Sequence, residues 1–214
     1  MAVQTVIINY QTPDLLQTAV SSFKEIYPNE KLRVVDNGSL DNSREVIAAL
    51  ERQYQHVETL FLKQNIYHGP AMDLVARNHS SDDYIFFLDS DTETIKSGFL
   101  EELQSLGNAN DKMYAFGQLL KVNKRGFKDD KGAPIIATPH LFLKREIYLQ
   151  FSPFIHHGQP TLKNFSEARK EGFELVDYPM PDFINHYWRG TASRFGYGLG
   201  IKGKLEFILN KFGL

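Results

Sequence analysis

YIFFLDSDTET, residues 84–94, is the stretch on which the fold turns. Five strand-favouring residues, Tyr84 to Leu88, run without alternation into Asp89-Ser90-Asp91. An unbroken apolar run suits a strand buried on both faces, as in parallel sheets covered by helices. In such sheets ligands collect at the carboxyl ends of strands. Asp89 and Asp91 are two residues apart, so on an extended backbone they point to one side. Two carboxylates at close range repel unless a cation joins them. Hard oxygen ligands suit Mg²⁺ or Mn²⁺, with substrate phosphates completing the shell. The pattern therefore reads as a divalent-metal site for a phosphorylated ligand. A plain strand-end turn, in which Asp and Ser are common, is the alternative.

Upstream, strand and helix alternate in the same way. Val3 to Asn9 reads as a strand, and Thr12-Pro13-Asp14 opens a helix with a hydroxyl cap, an early proline and an acid in the first turn. Leu15, Leu16, Ala19, Val20 and Phe23 form its apolar face. Lys31 to Val35 is the second strand, ending at Asp36-Asn37-Gly38-Ser39. Asn42 and Glu45 have capping-box spacing and start the second helix, with Val46, Ile47, Leu50 and Tyr54 facing the core. Val57 to Leu62 is the third strand, and a loop with Asn65, His68, Gly69 and Pro70 leads into a helix over about 70–78. This alternation predicts an α/β fold with a mostly parallel, Rossmann-like sheet. The polar residues after the first four strands then become neighbours along one edge.

Downstream the pattern is less regular. A helix is expected over Phe99–Leu106, a strand over Met113–Val122, and a mobile loop or hairpin over 121–133, which is dense in charge and glycine. One or two short strands around Pro139 and a helix from Lys144 follow. Leu162 to Glu171 reads as a helix stopped by Gly172, and Phe173 to Tyr178 as a strand. No linker divides the chain. It is read as a single domain over 1–214, with a nucleotide-binding half (about 1–91), a metal and acceptor half (about 92–195) and a tail (196–214).

The bulk numbers narrow the classes. The 214 residues are 42% hydrophobic and 23% charged, as in ordinary globular proteins. A net charge of −2 gives no reason to expect nucleic-acid binding. The absence of cysteine excludes disulfides, cysteine–zinc sites and thiol catalysis, and fits a reducing compartment. The N-terminus reads as a strand and not as a signal peptide, so a cytoplasmic location is expected. The tail carries Leu205, Ile208 and Leu209 at helical spacing beside Lys202, Lys204 and Lys211. Such a basic amphipathic segment packs on its own domain, on a second subunit as a homodimer contact, or on an anionic membrane surface.

Several of these motifs together resemble the GT-A fold glycosyltransferases, family 2 in particular. VVDNGSLDNS is similar to that family's Asp-rich turn after the second strand, NIYHGPAMDL to its Gly-Pro-Ala loop, and YIFFLDSDT to its DxD motif. ARKEGFELVDYP resembles its late helix–strand unit and INHYWRGTASR its late histidine segment, in the right order over about 3–195. The resemblance implies a nucleotide-diphosphate-sugar donor (a UDP- or GDP-sugar), a Mn²⁺ or Mg²⁺ cofactor, and hexosyl transfer to a hydroxyl acceptor. It carries donor contacts onto Asn9, Tyr10, Asp36, Asn37, Asn65, His68, Gly69, Asp89, Ser90, Arg189 and Ser193. It carries metal ligation onto Asp91, Asp89 and His186. Trp188 could cover a sugar face or pack, and Arg194 could join Arg189 in clamping phosphate.

The chain departs from the family at one point. Inverting members carry a Glu-Asp pair before the ARKEG segment, and its acid acts as general base. Here Pro160-Thr161 stands at that place, and no carboxylate lies between Phe151 and Ser166. His156 or His157 could serve as base, Asp182 or Glu167 could reach in, or a retaining mechanism needs none. Acceptor contacts are expected from 123–140, with Pro139 and His140, and from His156. A nucleotide-sugar-binding scaffold without catalysis is the competing class. A haloacid-dehalogenase-type phosphatase shares the apolar strand and DxD, but its motif has Thr or Val where Glu93 stands.

Overall fold

The computed structural model describes residues 2–124, 126, 128–155, 159–188, 190 and 194. His156, His157, Arg189, Ser193 and the tail 196–214 lie outside the described residues.

The fold is α/β. In chain order the elements begin β1 (Val3–Asn9), α1 (Pro13–Ile26), β2 (Lys31–Asp36), α2 (Ser43–Gln53), β3 (Val57–Phe61) and α3 (His68–Leu74). A π-helical turn, Val75–His79, prolongs α3 before β4 (Tyr84–Asp89). Then come β5 (Thr92–Thr94), α4 (Phe99–Ala109), β6 (Met113–Gly117), β7 (Leu119–Val122), β8 (Ala133–Ile136), β9 (His140–Lys144) and α5 (Arg145–Tyr148). The last are α6 (Leu162–Lys170), β10 (Glu174–Asp177), a 3₁₀ turn at Met180–Asp182 and β11 (Ile184–His186).

Seven strands form the main sheet in the order β10-β6-β9-β4-β1-β2-β3. The neighbours β4, β1, β2 and β3 run parallel, and β9 is antiparallel to both β4 and β6. The apolar run of β4 has the expected cause. Phe86 and Leu88 belong to a core layer with Leu16, Phe23 and Phe99, while Ile85 and Phe87 belong to the opposite layer with Met72, Val75 and Tyr148. Both faces of the strand are covered, so every residue from Tyr84 to Leu88 is buried.

Several local expectations change. The strand expected over Met113–Val122 breaks at Gly117, whose φ of +145° turns the chain into β7. A side chain there would strike the His140 carbonyl at 2.6 Å. The 121–133 region keeps the hairpin alternative: β7 pairs antiparallel with β8, and Asp129 N–H reaches the Lys121 carbonyl at 2.9 Å. Thr12 and Asn42 stand at N-cap positions, but neither side chain caps its helix. Asp41 accepts the Ser43 N–H at 3.0 Å instead. Among the described residues, no helix is long and apolar enough to cross a membrane.

Candidate functional site

The loops after β1, β2 and β4 meet at one sheet edge, and short polar side chains join them. Thr12 Oγ1 donates to Asn9 Oδ1 at 2.9 Å and lies 3.0 Å from Ser90 Oγ. Asn9 Nδ2 reaches Ser39 Oγ at 3.4 Å, and Gln11 N–H donates to the same oxygen at 3.0 Å. Asn9, Thr12, Ser39 and Ser90 are all buried. Asn9 and Ser90, expected at the donor, thus tie the loops after β1, β2 and β4 to one another. Tyr10 is half-buried beside them.

Asp36 ends β2 with its side chain fully buried. Its Oδ2 accepts from Ser39 N–H and from Arg44 Nε, each at 3.3 Å, while Oδ1 is buried without a partner among the described residues. Arg44 is held by the Leu62 carbonyl at 3.0 Å and lies over the Phe61 ring. Asn37 and Asn65 are engaged with the chain itself. Asn37 Oδ1 accepts the Ile66 N–H, its amide donates to Asn65 Oδ1, and that oxygen also takes the Tyr67 N–H. These two residues lock the loop before α3 to the end of β2. Gly38, with φ of +74°, lets that loop approach, since a Cβ there would lie 2.3 Å from the Gln64 backbone.

The metal candidates come together by a device that periodicity did not reveal. β5 follows the Asp-Ser-Asp turn directly and pairs antiparallel with β11, placing His186 opposite Thr92. His186 Nε2 lies 3.1 Å from Asp91 Oδ1 and 4.0 Å from Asp89 Oδ2. One ligand atom from each of Asp89, Asp91 and His186 can be chosen so that all lie within 4.8 Å of one another. The Gly190 N–H donates to Asp91 Oδ2 at 2.8 Å, and the Tyr187 N–H to the Asp91 carbonyl at 3.0 Å. Trp188, between them, is 72% exposed, and its ring centroid is 4.0 Å from that of His186. On the other side, His68 Nε2 is 3.5 Å from Asp89 Oδ1. Burial, with the Asp91 charge adding to it, holds the Asp89 carboxyl above the usual range against the pull of His68 and His186. A pair of crowded carboxylates with one imidazole is a donor set that suits a divalent cation.

The other candidates sort by placement. Asp182 is exposed in the 3₁₀ turn at the far end of the β5–β11 ribbon, next to Phe183, whose carbonyl takes the Ile95 and Lys96 N–H groups. Glu167 is engaged elsewhere, accepting from Ser152 N–H and Oγ at 2.8 Å each. Neither joins the trio. Arg194, expected to join Arg189 at phosphate, makes a two-pronged pair with Asp14 on α1, both contacts at 2.8 Å. His140, expected at the acceptor, is 3% exposed within β9 and is not an open contact. Burial first, then the neighbouring His186, lowers its pKa to about 4. Asp73 binds Tyr148 and, at 2.7 Å, Arg77 Nε, so its role is to fasten α3 to α5. Gly69 meets the segment after Phe154 so closely that a Cβ would lie 2.0 Å from the Ile155 carbonyl. Ile155 N–H reaches the Pro160 carbonyl at 3.2 Å. Both flanks of the 156–158 segment therefore sit against the start of α3, beside His68.

A model of glycosyl transferase family 2 matches residues 5–176. The chain belongs to that family. Membership removes the phosphatase alternative and agrees with the GT-A fold. Among solved structures, a mannosyltransferase from Pyrobaculum calidifontis, described in complex with GDP-Man and Mn²⁺, is similar at 14% identity with a TM-score of 0.68. The match covers 83% of this chain and 54% of that one. TarS 1–349 from S. aureus in complex with UDP-GlcNAc matches at 13% identity and a TM-score of 0.63, covering 86% and 58%. The same protein with UDP gives 12% and 0.64, covering 86% and 60%. No curated protein sequence matches at a significant level. This glycosyl transferase family 2 chain thus spans a little over half the length of the structures it resembles.

Proposed function

We propose that the chain transfers a hexosyl group from a nucleoside-diphosphate-sugar to a hydroxyl acceptor, with a divalent cation held by Asp89, Asp91 and His186. The observation that carries this is the trio itself, assembled at a sheet edge from the end of β4, the turn that follows it and β11. The cation, when bound, supplies positive charge to the leaving diphosphate. Relatives in fold described with GDP-Man and Mn²⁺, UDP-GlcNAc and UDP support a guanosine or uridine donor. The base or ribose would take the free acceptor capacity of Asp36, whose Oδ1 has no partner among the described residues. Tyr10, which follows the β1 residue paired with Asp36, would flank that position. His68 and Gly69 would face the phosphates, as would Arg189 and Ser193, since Gly190 between them is bonded to Asp91.

The acceptor side is proposed between the β7–β8 hairpin and the 155–160 segment. Gly126 in the hairpin connection approaches Gln159 so closely that a Cβ would lie 2.9 Å from its side chain. His156 or His157 would remove the acceptor proton, since their flanks rest beside His68 and no carboxylate stands at Pro160-Thr161. A cytoplasmic setting, with the tail on a membrane surface or a second subunit, is proposed with it.

The test is a panel of nucleoside diphosphates by calorimetry and thermal shift, with and without Mn²⁺. We expect one diphosphate to bind in a Mn²⁺-dependent way and to raise the melting temperature by mass action. Asp91→Ala should abolish that binding. The missing acid also favours a second reading, a nucleotide-sugar-binding scaffold. Donor hydrolysis by the wild type above the Asp91→Ala background would exclude it; binding without any hydrolysis or transfer would favour it.

A further inference from the structure

His186 faces the two carboxylates with Nε2, which leaves Nδ1 on the other side of the ring. That nitrogen is buried and has no hydrogen-bond partner among the described residues. A ligating imidazole normally bonds its second nitrogen to a carboxylate, carbonyl or water, which fixes both ring orientation and tautomer. A second imidazole stands beside it. The rings of His140 and His186 are 6.5 Å apart, nearly edge-on at 78°. His140 Nδ1 is likewise buried and without a partner among the described residues.

The sheet fixes His140 there. It lies opposite Leu88 in the β4–β9 pair, and the carbonyl of Pro139 accepts the Asp89 N–H at 2.9 Å. His140 is thus tied to the strand end that carries Asp89, and β11 brings His186 to the same place from the other side. Two buried nitrogens left unpaired on adjacent rings are unusual in native proteins. Centroids 6.5 Å apart are too distant for a direct bond, which needs heavy atoms at about 3 Å. A single water placed between the rings would satisfy both.

We propose that His140 is a positioning residue for His186. Through one buried water, His140 Nδ1 accepts while His186 Nδ1–H donates, and Nε2 of His186 is held toward Asp89 and Asp91 as an open ligand. This rests on the metal reading given above. It replaces the acceptor contact expected of His140 with a role behind the site.

The experiment is a Mn²⁺ titration of the purified chain by calorimetry, with Asp91→Ala as the control. His140→Phe and His140→Gln are compared with the wild type, and circular dichroism checks that each is folded. The Phe variant should bind Mn²⁺ about 10- to 100-fold more weakly. The Gln variant, which keeps an acceptor oxygen, should recover most of the affinity. Nitrogen-15 NMR should show His186 protonated on Nδ1 in the wild type and as a tautomer mixture in the Phe variant. If the Phe variant does not fold, His140→Leu takes its place. A folded apolar variant with wild-type Mn²⁺ affinity and an unchanged His186 tautomer would overturn the proposal while leaving the metal site standing. A wild type that binds no Mn²⁺ would overturn both.

Discussion

Thr12 occupies a helix N-cap position, yet its hydroxyl turns to Asn9 and Ser90. A residue type says what a side chain can bond, and only the fold says which partner is in reach. Thr12→Val keeps the shape and leaves two buried polar groups short of a partner. We expect a loss of about 1–3 kcal/mol by urea denaturation, and a much smaller one for Thr12→Ser. The sequence showed that polar residues follow each early strand. It did not show which would line the site and which would brace it, because that depends on contacts across 78 residues, as between Thr12 and Ser90. Trp188 offers a second test at this scale. It is the only tryptophan, and its ring is 4.0 Å from His186. Paramagnetic Mn²⁺ at the trio should quench its fluorescence strongly, and the quenching should vanish in Asp91→Ala.

Among the elements, β4 was the most legible, because an apolar run of this length bounded by polar residues fits little besides a buried strand. Phe86→Ala would open a cavity between β4 and α4, where Phe86 meets Phe99 with centroids 5.4 Å apart. Its expected cost is about 3–5 kcal/mol, read from the chemical midpoint. The β5–β11 ribbon was not legible. Its strands have three residues each, too few to show a period, and they pair across about 90 residues of chain. His186 was therefore identified as a metal candidate by resemblance alone. Segment contacts predict function as well. Gly69→Ala should force the 155–160 segment off α3, since the obstacle is backbone. Turnover should fall with the fold intact by circular dichroism. Glu167 anchors the chain just before that segment through Ser152, whose backbone N–H holds the carboxyl below its ordinary value of 4.5. A carboxylate favoured in the folded state stabilises it above pH 4.5, and the effect is lost as pH falls through the lowered folded-state value. Glu167→Gln should flatten the acid limb of a stability-versus-pH curve.

For the molecule as a whole, the alternation of strands and helices up to Asp91 sufficed for the fold class, because three strand–helix units followed by a fourth strand leave little choice but a parallel sheet. The second half resisted because its strands are short and one of them, β9, enters the sheet out of sequence. That insertion has a bearing on biosynthesis. While the ribosome has delivered only the first 91 residues, β3, β2, β1 and β4 can associate, but β4 then ends the sheet with its outer edge unpaired. The strand that covers this edge spans His140–Lys144 and has not yet been made. A nascent chain would carry its most apolar strand bare over that interval, the condition under which edge-to-edge association begins. Fragments truncated between residues 91 and 139 should aggregate, whereas those extended through Tyr148 should show markedly better solubility.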